Sequence, residues 1–201
     1  GDLVSDLITG QITDVDAGSV EGIAVTGADN TNGQWQFSLN GGSSWSNITG
    51  PSDTSAVLLA SDALTRVRFV PNLNYNGSAD LDFHAWDQTS GSNGDTGVNI
   101  NPTGTTSAFS TAEETSSITI TPVNDAPVLA GANDFNDIAE DPASNNGDLV
   151  SDLITGQITD VDAGSVEGIA VTGADNSNGQ WQFSLNGGSS WSNITGPSDT
   201  S

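Results

Sequence analysis

The chain is 201 residues long and carries 26 acidic residues against two basic ones, for a formal charge of −24. So few Lys and Arg cannot neutralise a phosphate backbone, so nucleic acid is excluded as a partner, and the same deficit excludes contact with an anionic membrane surface. Cysteine is absent, which rules out a disulfide framework and any thiolate site.

Charged residues make up only 14%, below the roughly 25% of an average soluble protein. The natural partner of such an acidic, Lys/Arg-poor chain is a cation. No stretch approaches the ~20 apolar residues of a membrane span. Residues 1–55 recur as residues 147–201 with one difference, Thr31 against Ser177, so the chain reads as a tandem repeat of period 146 and is expected to begin inside a repeat. A period of this size suits a domain rather than a solenoid unit. The chain is therefore expected to be a segment of a longer protein.

In chain order, the first notable stretch is Gln11–Val25, QITDVDAGSVEGIAV, which returns as Gln157–Val171. It places Asp14 beside Asp16, and Asp160 beside Asp162. In a strand, residues i and i+2 share a face, and two carboxylates so placed repel each other unless something positive intervenes. Two arginines in the whole chain make a side-chain partner improbable, whereas calcium takes six to eight oxygen ligands. The competing reading is a pair of solvated acids in a turn at Asp16-Ala17-Gly18. No EF-hand loop fits: counted from Asp14, the required Gly and Glu positions hold Ser19 and Val25.

Strand signals follow. Trp35, Phe37 and Leu39 alternate with polar residues, as do Val67 and Phe69. Leu58–Leu64 reads as a possible single turn of helix. Ala79, Leu81, Phe83 and Ala85 alternate with Asp80, Asp82, His84 and Trp86, which puts His84 and Trp86 on the polar side. Residues 88–107, rich in Ser, Gly, Asn and Thr, read as an exposed excursion. Ile118 and Ile120 close the series. Asn-Gly and Gly-Gly turns separate these runs. Short alternating strands of this kind predict an all-β fold, an antiparallel β-sandwich.

Catalysis needs a base, a nucleophile and an orienting group. The single histidine, His84, reads as structural or solvated, no serine stands in a GxSxG elbow, and the neighbouring acids Asp80/Asp82 and Glu113/Glu114 read as solvated surface. The chain is not expected to be an enzyme. A carbohydrate-binding β-sandwich module is the alternative, with Trp45, Tyr75 and Trp86 stacking on a sugar, so glycan binding is weighed but not favoured. Near-identical tandem copies suit a spacer better than a receptor tip.

The stretch Thr121-Pro-Val-Asn-Asp-Ala-Pro-Val-Leu129 resembles the junction signature of bacterial cadherin-like domains. Ala139-Glu-Asp-Pro-Ala143 and Ile158-Thr-Asp-Val-Asp-Ala-Gly164 follow in the family's order. Asn32-Gly-Gln-Trp-Gln-Phe-Ser38, Arg68-Phe-Val-Pro-Asn72 and Ala85-Trp-Asp-Gln-Thr-Ser-Gly91 resemble it as well. Such cadherin-like or immunoglobulin-like repeats occur in long arrays in giant bacterial surface adhesins of the RTX type. The resemblance implies an extracellular extender module on a bacterial cell surface, with calcium at the joints and neighbouring repeats of the same chain as partners. It implies one repeat over 1–126 and the N-terminal part of the next over 127–201. It also implies a joint at Val123–Val128, to which Asp87 would come from the preceding domain and Asn124 and Asp125 from the linker. Glu140, Asp141, Asp160 and Asp162 would come from the following domain, with Asp14 and Asp16 as the copy of the last pair.

Overall fold

The computed structural model describes residues 1–16 and 18–199 and divides into two compact units, Gly1–Val123 and Asn124–Ser201. Ala17, at the centre of the Asp16-Ala17-Gly18 turn expected from the sequence, lies outside the described residues. The chain is nearly all β. Among the described residues its helices are two five-residue turns, α1 (Val4–Ile8) in the first unit and α2 (Val150–Ile154) in the second. Among the described residues no helix is long and apolar enough to cross a membrane.

The first unit contains β1 (Asp2–Leu3), β2 (Gly22–Ala28), β3 (Gly33–Ser38), β4 (Ser46–Asn47), β5 (Ala56–Ala60), β6 (Arg66–Pro71), β7 (Gly77–Trp86), β8 (Thr96–Val98) and β9 (Phe109–Ile120). They form a four-stranded sheet, β1-β6-β3-β4, and a five-stranded sheet, β8-β5-β2-β7-β9. Every pairing is antiparallel. Ile23, Val25, Val57, Leu59, Leu81 and Phe83 of the larger sheet share one core with Trp35, Phe37, Val67 and Phe69 of the smaller. α1 adds Val4 and Ile8 to the same core. This arrangement is consistent with a β-sandwich.

The larger sheet is also covered on its other face. Ala24, Ala56, Leu58, Ala60 and Trp86 pack there with Ile100 and Phe109. Two expectations change as a result. Residues 88–107 are not a free excursion: β8 pairs with β5, and Ile100 is 1% exposed. Leu58–Leu64 contains no helical turn. Residues 56–60, AVLLA, are a strand buried at every position, because β5 is apolar toward both layers. A continuous apolar run of this length does not distinguish a strand from a buried helix by period alone.

Both arginines sit on β6, and among the described residues neither makes an ion pair. The Arg68 guanidinium lies 4.0 Å from the ring centroid of Trp45 and its Nε donates to Gln36 Oε1 at 2.8 Å. Arg66 donates to the Gly1 carbonyl at 3.0 Å. Trp45 Nε1 in turn donates to Gly42 O at 3.0 Å.

Asp62 closes the turn between β5 and β6. Its Oδ1 accepts the N–H groups of Leu64 at 2.8 Å and Thr65 at 2.6 Å. Partial desolvation pushes the carboxyl up, but these donors outweigh it and hold its pKa below the ordinary 3.8. A depressed folded pKa stabilises above the unfolded value, and that stability disappears as pH falls through the folded value. The melting temperature of Asp62→Ala is expected to lie below wild type at neutral pH, and the gap should close in acid below about pH 3.8. The effect will be modest because the carboxylate faces solvent. A gap that stays constant with pH would show that the loss is packing rather than charge.

The second unit contains β10 (Val128–Leu129), β11 (Ile158–Thr159), β12 (Gln182–Phe183) and β13 (Ser192–Asn193), as two antiparallel pairs, β10-β11 and β12-β13. Residues 168–174 repeat the sequence of β2 but form no strand. In the first unit β2 is flanked by β5 and β7, which come from a stretch that occurs once in the sequence.

Candidate metal centre

Among the described residues, one group of three or more His, Cys, Asp or Glu side chains brings its ligand atoms within 4.8 Å of one another, and it is Asp53, His84 and Glu113. These three residues form a set able to hold a metal ion. The ladder creates two of the positions: His84 and Glu113 are direct cross-strand partners on β7 and β9, and His84 also faces Ala24 of β2. Asp53 sits in the turn before β5, closed by the Ser55 N–H to Ser52 O bond at 2.8 Å. That turn is tied to the 88–107 segment by Ile100 N–H to Asp53 O at 2.9 Å.

The expectation for His84 changes here. It is buried, with 6% of its surface exposed, and lies against Asp53, Ser110 and Glu113 on the face that the alternation marked as polar. Its Nε2 lies 3.7 Å from Asp53 Oδ1 and 4.0 Å from Glu113 Oε1. Nδ1 is 2.8 Å from the Ser110 carbonyl. Glu113 Oε1 also accepts Thr26 Oγ1–H at 2.6 Å. Trp86, assigned to the polar side and weighed as a sugar platform, is 2% exposed, and its Nε1 donates to Ser90 O at 2.8 Å.

The acids singled out from the sequence fall into three places. Asp14 and Asp16 are exposed and not in a strand. The Asp16 N–H donates to Asp14 Oδ1 at 2.8 Å, so the pair closes a local turn instead of lining one face. Asp87 belongs to the same unit, lines a cleft with Asp14 and Glu21, and accepts Thr89 N–H at 2.8 Å through Oδ1. In the second unit, Asp160 and Asp162 follow β11 and are half-buried. Asp162 N–H donates to Asp160 Oδ1 at 2.8 Å, and Asp125 N–H donates to Asp162 Oδ2 at 2.8 Å. Asn124 Nδ2 donates to the Asp125 carbonyl at 2.8 Å. Asn124, Asp125, Asp160 and Asp162 are thus linked in one hydrogen-bonded series, set by the β10-β11 pair. Glu140 and Asp141 lie in an exposed bend of this unit, and among its described residues no three acids bring their ligand atoms within 4.8 Å of one another.

Asp53 and Glu113 were not singled out as ligands from the sequence. Their link to His84 depends on the β7-β9 register and on where the 52–55 turn lands, and neither is visible in local spacing. The one available signal was the uniqueness of His84 in an acidic chain. No family model matches this chain, and neither a curated protein nor a solved structure matches it.

Proposed function

We propose that this chain is a structural, non-catalytic extender segment of a long bacterial cell-surface adhesin. Its cadherin-like or immunoglobulin-like sandwiches repeat every 146 residues and are stiffened by calcium at the joints. The observation that carries the reading is the series Asp125–Asp162–Asp160, in which the linker backbone holds the carboxylates of the following repeat. Oxygen-rich acid clusters suit a hard divalent cation. Without the ion the joint repels itself; with it the repulsion is replaced by coordination and the linker stiffens. The engagement of Trp45 with Arg68 and the burial of Trp86 support a spacer over a glycan-binding module.

The test is a thermal melt in chelator and then in millimolar calcium, with magnesium as control. Calcium at a hundredfold over its Kd adds about 2.7 kcal/mol to the unit that binds it. A calcium-selective rise in melting temperature, lost in Asp160→Asn/Asp162→Asn, is the expected result. No rise would make the acid pairs solvated surface and remove calcium from the reading.

A further inference from the structure

We infer that Asp53, His84 and Glu113 form a binding site for a zinc-class divalent cation in the body of the first unit. The site is independent of calcium at the joint and chemically distinct from it.

The imidazole carries the inference. A carbonyl oxygen only accepts, so the contact of Nδ1 with Ser110 O at 2.8 Å places a proton on Nδ1. In the neutral ring Nε2 then presents a lone pair. It is aimed at two carboxylate oxygens, at 3.7 and 4.0 Å, both beyond hydrogen-bond reach. A lone pair facing two anions from a side chain more than nine-tenths buried is repulsive, and either a proton on Nε2 or a metal cation held between the three groups relieves it. A histidine whose second nitrogen donates to a backbone carbonyl is the usual metal-ligating arrangement, because that bond fixes both tautomer and ring orientation.

The surroundings hold the ring still. Ser110 is itself anchored, its Oγ donating to Ala112 O at 2.6 Å and accepting Ala85 N–H at 2.9 Å. Thr26 orients Glu113. The two carboxylates are about half exposed, at 55% and 50%, so they are free to close on an ion by the fraction of an ångström that zinc–oxygen bonds of about 2.0–2.2 Å require. One neutral imidazole and two carboxylates balance a divalent charge, and the fourth tetrahedral position is left to water. Imidazole selects zinc, cobalt or nickel over calcium, whose ligands are oxygens. A bound ion would tie the 52–55 turn to β7 and β9.

The experiment uses the full chain with ¹⁵N-labelled histidine, stripped with chelator and titrated with zinc chloride or calcium chloride. His84 is the only histidine, so its two ring nitrogens are the whole spectrum, and weak zinc binding to the many surface acids does not move them. Zinc is expected to shift the Nε2 resonance with saturation while calcium leaves it in place. Asp53→Asn and Glu113→Gln should each raise the midpoint by more than about tenfold, and Thr26→Val by about tenfold. Imidazole resonances unmoved by excess zinc in the wild type would overturn the site, whatever the variants do. An unchanged midpoint in both carboxylate variants would overturn it too. Neither result bears on the calcium melt.

Discussion

Replacing Trp86 with alanine is expected to destabilise the first unit by about 3–5 kcal/mol, the range for deleting a large aromatic from a packed interior. Trp86 is 2% exposed and anchors the outer layer of the five-stranded sheet, together with Ile100 and Phe109. Three effects add. The transfer energy of the indole is lost, a cavity opens under residues 88–107, and the Ser90 carbonyl loses the Nε1–H donor it now accepts from at 2.8 Å. The neighbour on β2 cannot fill the gap. Trp86 lies opposite Gly22, where an added Cβ would stand 2.8 Å from the Trp86 ring and 2.7 Å from the Leu59 carbonyl. Position 22 therefore needs glycine while the indole is present. Chemical denaturation of Trp86→Ala and of Trp45→Ala makes the comparison. Trp45 packs at the surface under Arg68, and its loss should cost much less. Equal losses would mean that the outer layer contributes little to the stability of the unit.

The second large effect is a contrast between two copies of one sequence. Amides of β2 and β3 are expected to exchange with solvent only through global opening of the first unit. Those of residues 168–184 should exchange orders of magnitude faster, close to the rate of an open segment. The cause is visible side chain by side chain. Ile23 and Val25 are fully buried and Trp35 and Phe37 are 5% and 6% exposed, whereas Ile169, Val171, Trp181 and Phe183 are each exposed by 43–46%. Hydrogen exchange read by mass spectrometry separates the two, because peptides 22–38 and 168–184 differ at Thr31 and Ser177. Matching protection in both peptides would refute the assignment of strand order in the first unit to partners drawn from residues 56–86.

The same pair of copies shows which features are legible in a sequence. Short-range features are reproduced in both. Asn30 Oδ1 accepts Trp35 N–H at 2.6 Å, and Asn176 accepts Trp181 N–H at 2.8 Å. Gln36 and Gln182 reach Asn47 and Asn193 at 2.7 and 2.9 Å. Val4–Ile8 and Val150–Ile154 form the same short helix. These contacts span at most 11 residues and need no partner from outside the repeated stretch. The strand periodicity of Trp35 and Phe37, of Val67 and Phe69, and of Ala79, Leu81 and Phe83 was legible for a related reason, since a half-buried strand displays its inner face at every second residue. Alternation misleads where a second layer covers the outer face. Trp86 looks solvent-facing until residues 88–107 fold over it, His84 does so until Asp53, Ser110 and Glu113 are brought against it, and the AVLLA strand loses its period altogether. The group around His84 was the least legible. Asp53 and Glu113 stand 31 residues before it and 29 after it, and only the β7-β9 register and the placement of the 52–55 turn bring the three together.

The placement of the two arginines has a consequence for the chain as a polyelectrolyte. Both positive charges are engaged by a carbonyl, an amide and an indole ring on β6, and among the described residues no carboxylate is paired with either. Among the described residues neither arginine therefore serves as a counter-ion to the acids, and screening falls to the ionic atmosphere, whose reach is about 8 Å at physiological ionic strength. The protein's compactness thus depends on the medium. In dilute buffer the self-repulsion is long-ranged and favours expansion, and in saline surroundings it shrinks to near neighbours. Any comparison between divalent and monovalent cations must be made at matched ionic strength, because the atmosphere itself is one of this protein's ligands.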